Sequence, residues 1–114
     1  MFYKILYSVA PEIILQIADL LENETNNMQF VCQAIGVPVS YISWYFNGVM
    51  VNLSDSSKYS NALVHLNESI IESTLSIINA ESSDVGTYTC EAVNIIGSDQ
   101  SSGVLTVNGM YIWI

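Results

Sequence analysis

The residue types that carry chemistry are sparse in this chain. The one histidine, His65, has no second histidine and no spare thiol with which to hold a metal, and it reads as an ordinary strand residue. The eleven acids are dispersed. Asp55-Ser56-Ser57 lacks the ligand spacing of a calcium loop, and Glu22 and Glu24 read as a solvated turn. Glycoside chemistry needs two carboxylates facing across a cleft, and no pair is so placed by the pattern. Neither a Gly-x-Ser-x-Gly elbow nor a phosphate-cradling glycine loop occurs. The sequence therefore predicts no catalytic residue, no metal and no cofactor, and the chain is expected not to be an enzyme. What remains is Cys32 and Cys90, 58 positions apart, and three Asn-x-Ser/Thr acceptors: Asn23-Glu24-Thr25, Asn52-Leu53-Ser54 and Asn67-Glu68-Ser69.

The elements that must position these residues fit one domain, because 114 residues bury enough surface for a single hydrophobic core. Apolar residues are 51% and charged ones 11%, the reverse of a disordered chain. Eleven acids against two lysines, Lys4 and Lys58, leave a net charge of −9 with no arginine. Such a chain lacks the cations that displace counterions from phosphates, so nucleic acid is excluded as a partner. An anionic membrane surface would repel it as well. The run Met1–Leu21 is interrupted by Lys4, Pro11, Glu12 and Asp19, so it does not read as a membrane span, and its apolar part is too short for a signal peptide. Residues 1–10 are expected to be a linker or the remnant of a preceding segment, 11–109 the domain, and 110–114 a C-terminal linker, in a chain cut from a longer one.

Short runs rich in Val, Ile, Thr and aromatics alternate with Gly, Asn and Ser clusters about every ten residues, the pattern of a sandwich or barrel. Met28–Ala34 is predicted as a strand with Met28, Phe30, Cys32 and Ala34 inward. Ser40–Phe46 follows, with Ile42, Trp44 and Phe46 on one face and Tyr41, Ser43 and Tyr45 on the other. Asn47-Gly48 is a type I′ hairpin signal, since both central residues of that turn need positive φ. Val49–Asn52 is the expected return strand, and Ser54–Ser57 a loop. Lys58–Leu66, Ile71–Ile78, Gly86–Asn94 and Gln100–Val107 complete the set. In the third of these Tyr88, Cys90 and Ala92 point inward. The stretch Pro11–Glu22 fits either an edge strand or a helical turn.

Cys32-x-Ala34-x-Gly36-x-Pro38, Ile42-x-Trp44-Tyr45-x-Asn47-Gly48, Ser73-Thr74-Leu75-x-Ile77, Asp84-x-Gly86-x-Tyr88-x-Cys90-x-Ala92-x-Asn94-x-x-Gly97 and Leu105-Thr106-Val107 together resemble the immunoglobulin superfamily, most closely its intermediate (I-set) type. The resemblance covers about Pro11–Gly109. It implies an all-β fold, a two-sheet Greek-key immunoglobulin-like β-sandwich. It further implies a Cys32–Cys90 disulfide between the sheets, Trp44 packed against it, and Tyr88 as a tyrosine corner whose hydroxyl bonds the backbone upstream. Gly86 is expected to leave room for that corner. Asp84 is expected to pair with Lys58, where the family often has an arginine. Only one short strand fits between Trp44 and the Ser54–Ser57 loop, which favours the intermediate type over the variable one.

The resemblance implies a protein-recognition or adhesion module of an extracellular cell-surface or secreted multidomain protein, binding other proteins and in some cases its own kind, in a tandem-domain chain. The competing reading is a structural spacer in an intracellular, cytoplasmic filament protein of muscle type. A secreted enzyme carrying this domain as an accessory is a distant third. Three sequons and an oxidisable cysteine pair favour the secretory pathway. Parity places Tyr41, Tyr45, Thr89 and Glu91 on one outer sheet face, the expected partner face.

Overall fold

The computed structural model describes residues 7–23, 25–54 and 57–108. Among these described residues nine strands form two sheets: β1 Val9–Leu15, β2 Leu20–Asn23, β3 Met28–Val37, β4 Tyr41–Phe46, β5 Val49–Met50, β6 Tyr59–His65, β7 Ile70–Ile77, β8 Gly86–Val93 and β9 Ser98–Asn108. A four-stranded sheet runs β1-β3-β7-β6 and a five-stranded sheet β2-β9-β8-β4-β5. The pairs are antiparallel except β2 with β9.

Alternation builds the core. Strand β3 buries Met28, Phe30, Cys32 and Ala34, and β7 buries Ile71, Ser73, Leu75 and Ile77. From the opposite sheet come Trp44, Tyr88, Cys90, Ala92 and Leu105. Because side chains in a strand alternate with a period of two, a one-residue slip would turn each set to solvent. The β3–β7 register is accordingly unbroken from Met28↔Ile77 to Ile35↔Ile70.

The ambiguous stretch after Pro11 is two strands in different sheets. β1 pairs with β3, the chain turns at 16–19, and β2 joins the other sheet alongside β9. Distant side chains hold this crossing. Ile13 N–H donates to Asp99 Oδ2 (2.8 Å), Ile17 N–H to Ser101 Oγ (3.0 Å) and Val104 N–H to Asp19 Oδ1 (2.8 Å). Gly103 permits it, since a Cβ there would sit 2.9 Å from the Ala18 carbonyl oxygen.

Four details depart from the sequence reading. β1 starts at Val9, so Val9 and Ala10, expected in the linker, belong to the sheet. The return strand is only Val49–Met50, because the chain leaves β4 after two paired positions. Asn23, expected in a turn, is the last residue of β2 and pairs with Asn108. Gly86 answers to a different neighbour than the corner: a Cβ would lie 2.5 Å from Asn47 Oδ1 and 2.7 Å from Phe46 Cε1. Residues 1–6 and 109–114, which include most of the expected linkers, and residues 24, 55 and 56 lie outside the described residues. The Asn47-Gly48 turn has the positive φ values of its type, 47° and 83°.

Candidate functional site

The interior constellation comes first, because it positions the surfaces. Cys32 on β3 and Cys90 on β8 are disulfide-bonded across the sheets, with Cα atoms 6.6 Å apart and both residues fully buried. Trp44 is the register partner of Cys90 on the next strand. Its indole N–H donates to Ser73 Oγ (2.9 Å), and Ser73 Oγ donates to Asn61 Oδ1 (2.6 Å). The sequence reading missed Ser73 and Asn61. The available signal was a serine with core parity in β7, two residues before Leu75, where a buried hydroxyl requires a partner.

A second cluster closes the end of the sandwich near the 3-10 turn Ser82–Asp84. Tyr88 Oη donates to the Asp84 carbonyl (2.8 Å), and its ring stacks on Phe46 and tilts against Phe30. Asp84, nearly buried, receives Lys58 Nζ at 2.5 Å and the Glu81 N–H at 2.8 Å. Lys58 also donates to the carbonyls of Ile78 (3.3 Å) and Asn79 (3.1 Å). Burial pushes the Tyr88 hydroxyl well above its ordinary pKa of 10.0, and the nearby Tyr59 and Asp84 add to this. The sign follows from linkage. A folded-state pKa above the unfolded value means stability is full below about pH 10 and falls as pH rises beyond it. Tyr88→Phe is therefore expected to flatten the alkaline limb of a urea-midpoint-versus-pH curve. At pH 7 it should cost about 1–3 kcal/mol, because a buried carbonyl loses its donor.

The outer face of the five-stranded sheet divides in two. At its centre Tyr45 Oη donates to Glu91 Oε1 (3.2 Å) and Gln100 Nε2 donates to Glu91 Oε2 (2.9 Å), beside a Thr89–Ser102 hydroxyl pair at 2.7 Å. The bond to the Glu91 carboxylate raises the Tyr45 pKa, with slight desolvation adding to it. At one end the face becomes apolar. Tyr41 is 82% exposed and Ile95 83% exposed, and with Pro38, Val39, Val93 and Asn94 they line a cleft of ≈ 330 Å³. Tyr41 and Tyr45 thus share the face with Thr89 and Glu91, but Tyr45 is tied into a polar network while Tyr41 stands free of one.

The three sequon asparagines are exposed. Asn52 Oδ1 accepts from Ser54 N–H (3.1 Å) and Ser54 Oγ (2.6 Å), and Asn67 Oδ1 accepts from the Ser69 and Ile70 N–H groups (2.8 and 2.9 Å). In both, the carbonyl oxygen is engaged, and among the described residues the amide nitrogen has no hydrogen-bond partner. His65 lies exposed on β6, and among the described residues no group of three or more His, Cys, Asp or Glu side chains is placed to hold a metal ion.

Two antiparallel-rich sheets closed by a buried inter-sheet disulfide over a tryptophan, with a tyrosine hydroxyl anchoring one corner, define an immunoglobulin-like sandwich. Comparison with known proteins agrees: the family model described as "Immunoglobulin domain" matches residues 10–94, and the chain belongs to that family. It is 34% identical over 82 residues to Neural cell adhesion molecule 1 of Gallus gallus, covering 72% of this chain and 7% of that one. It is 31% identical over 91 residues to the Titin homolog of Caenorhabditis elegans, covering 80% of this chain and, to the nearest percent, 0% of that one. Among solved structures, titin domain M4 superposes with a TM-score of 0.77 at 25% identity, over 90% of this chain and 99% of that one. The chain thus spans a small fraction of the length of these curated relatives, which include an adhesion molecule and a titin homologue.

Proposed function

We propose that this domain is a non-enzymatic protein-recognition module of an extracellular cell-surface or secreted multidomain protein, of the intermediate immunoglobulin type, and that it binds through the outer face of the five-stranded sheet. One observation carries the reading: Tyr41, 82% exposed, stands beside Val93 and the 83% exposed Ile95, an apolar patch at the end of a face whose centre is polar. Tyrosine offers large amphipathic area with little rotamer entropy to lose, and so suits recognition. The sequons support the same face. Asn23 ends β2 and Asn67 lies in the β6–β7 turn, at opposite ends of the sandwich, and Asn52 follows the edge strand β5. Glycans on them would crowd both ends and one edge; Asn67 shares its end with Tyr41 but stands in a turn of the other sheet, which leaves the outer face of the five-stranded sheet open.

The spacer reading has its own support in the likeness to titin domain M4. Mass spectrometry of the native protein before and after glycosidase treatment separates the two. A glycosidase-sensitive mass supports the secretory reading, and an unmodified mass supports the intracellular spacer.

Tyr41→Ala with Tyr45→Ala tests the face itself. The double variant is expected to fold with a melting temperature within a few degrees of the parent, because neither side chain is part of the buried core. Cell aggregation mediated by the intact parent protein should fall at least tenfold. Undiminished adhesion by a folded double variant would rule the face out.

A further inference from the structure

The four sheet edges are not alike. β1 carries Pro11 and two register irregularities. β2 has four residues, one of them Glu22. β5 has two. Short strands, bulges, prolines and charges are the usual ways an edge is kept from pairing. β6 has none of these. It is seven residues long, its register against β7 runs without a break from Tyr59↔Ile77 to His65↔Ile71, and no acid stands between Asp55 and Glu68. Its residues after Tyr59 are all exposed, with Leu63 at 51% and Val64 at 47%.

The hydrogen bonds fix which backbone groups are open. Ile78 N–H donates to the Lys58 carbonyl (2.8 Å) at one end of the ladder, and Leu66 N–H to the Ile70 carbonyl (2.9 Å) at the other. Bonded and non-bonded pairs alternate in an antiparallel ladder. Ser60, Ala62 and Val64 therefore bond to β7, while Tyr59, Asn61, Leu63 and His65 direct N–H and C=O to the open side. Among the described residues, no strand pairs with that side.

We propose that β6 is a self-association edge, pairing antiparallel with β6 of a second copy about a two-fold axis through Ala62. In that register Tyr59 lies opposite His65 of the second copy and Asn61 opposite its Leu63, so all four outward residues find a bonded mate, in roughly eight hydrogen bonds. A second copy suits the edge on charge. Each copy carries −9, which opposes contact through acid-bearing faces, but here neither copy presents an acid, and Leu66 of one meets the stem of Lys58 of the other. The two four-stranded sheets become one continuous sheet of eight, by an isologous contact that closes on itself. A seven-residue edge buries less than the roughly 1,200 Å² of standard interfaces, so the association is weak and moves with concentration.

Sedimentation equilibrium of the 114-residue chain, before and after glycosidase treatment, is expected to show a monomer–dimer equilibrium. Ala62→Lys sets two ammonium groups opposite each other and should weaken it roughly tenfold, although it lowers the overall charge repulsion. Ala62→Cys should cross-link copies under mild oxidation far faster than Val64→Cys, whose symmetry mates lie several residues apart. Amide exchange at raised concentration should slow at residues 59, 61, 63 and 65. A chain that stays monomeric to about 1 mM in both forms, cross-linking no faster at 62 than at 64, or concentration-dependent protection that omits these amides would each overturn the proposal.

Discussion

Trp44→Ala is expected to lower the free energy of unfolding by about 3–5 kcal/mol, read from urea denaturation, the range for truncating a large core aromatic. Trp44 is 1% exposed and sits at the register position facing Cys90. Its removal opens a cavity between the sheets and also takes the donor from Ser73 Oγ, a residue that is itself fully buried. Trp44→Phe separates the two effects. It keeps most of the apolar volume but leaves the Ser73 acceptor unmatched, so it should cost less than alanine and still more than a surface change. Small domains have about 5–15 kcal/mol in all, so the alanine variant should lose a large share of the total. A near-neutral thermal shift would show that the indole is not the anchor of this core.

Replacing both Cys32 and Cys90 by alanine is expected to have an effect of similar size. The bond closes a loop of 58 residues, and in the chain-entropy model its loss releases about 4 kcal/mol of constraint on the unfolded state. Alanine is the right substitution because both residues are 0% exposed and a serine hydroxyl there would be buried without a partner. The measurement is the urea midpoint of the double variant against the oxidised parent. The outcome also bears on location. A loss of several kcal/mol supports the proposed secretory reading, since such bonds persist in oxidising compartments. A small loss would mean that the sheets cohere without the bond, as an intracellular spacer requires.

Much of the sandwich is legible in the sequence because its causes are local. The alternation of Met28, Phe30, Cys32 and Ala34, of Leu75 and Ile77, and of Tyr88, Cys90 and Ala92 fixes which side of each strand is buried. Asn47-Gly48 fixes its hairpin through backbone φ alone. The family resemblance rests on the motifs around Cys32, Trp44, Leu75, Tyr88–Cys90 and Leu105 taken together, all of them short runs readable in the sequence. Outer-face parity likewise located Tyr41, Tyr45, Thr89 and Glu91 together. That the end of this face near Tyr41 is apolar was not legible, because Ile95 reaches it from the loop after β8, remote from β4 in sequence.

Where the sequence falls silent, the deciding partner is far along the chain. Nothing in Ile13–Ile17 marks a change of sheet; the backbone donors of Ile13 and Ile17 are captured by Asp99 and Ser101, 86 and 84 positions away. Gly86 and Gly103 look like ordinary turn or strand glycines until Phe46, Asn47 and Ala18 are packed against them. Ser73 reads as a polar interruption of an apolar strand until the Trp44 indole reaches it from the other sheet. The openness of β6 is likewise a property of strand order, not of its residues. Local periodicity, turn chemistry and composition determine the strands and their inner faces. Which edges stay bare, which backbone groups find distant side-chain partners and where two backbones must touch are settled only when the two sheets close on each other, because those interactions join residues with no sequence relationship.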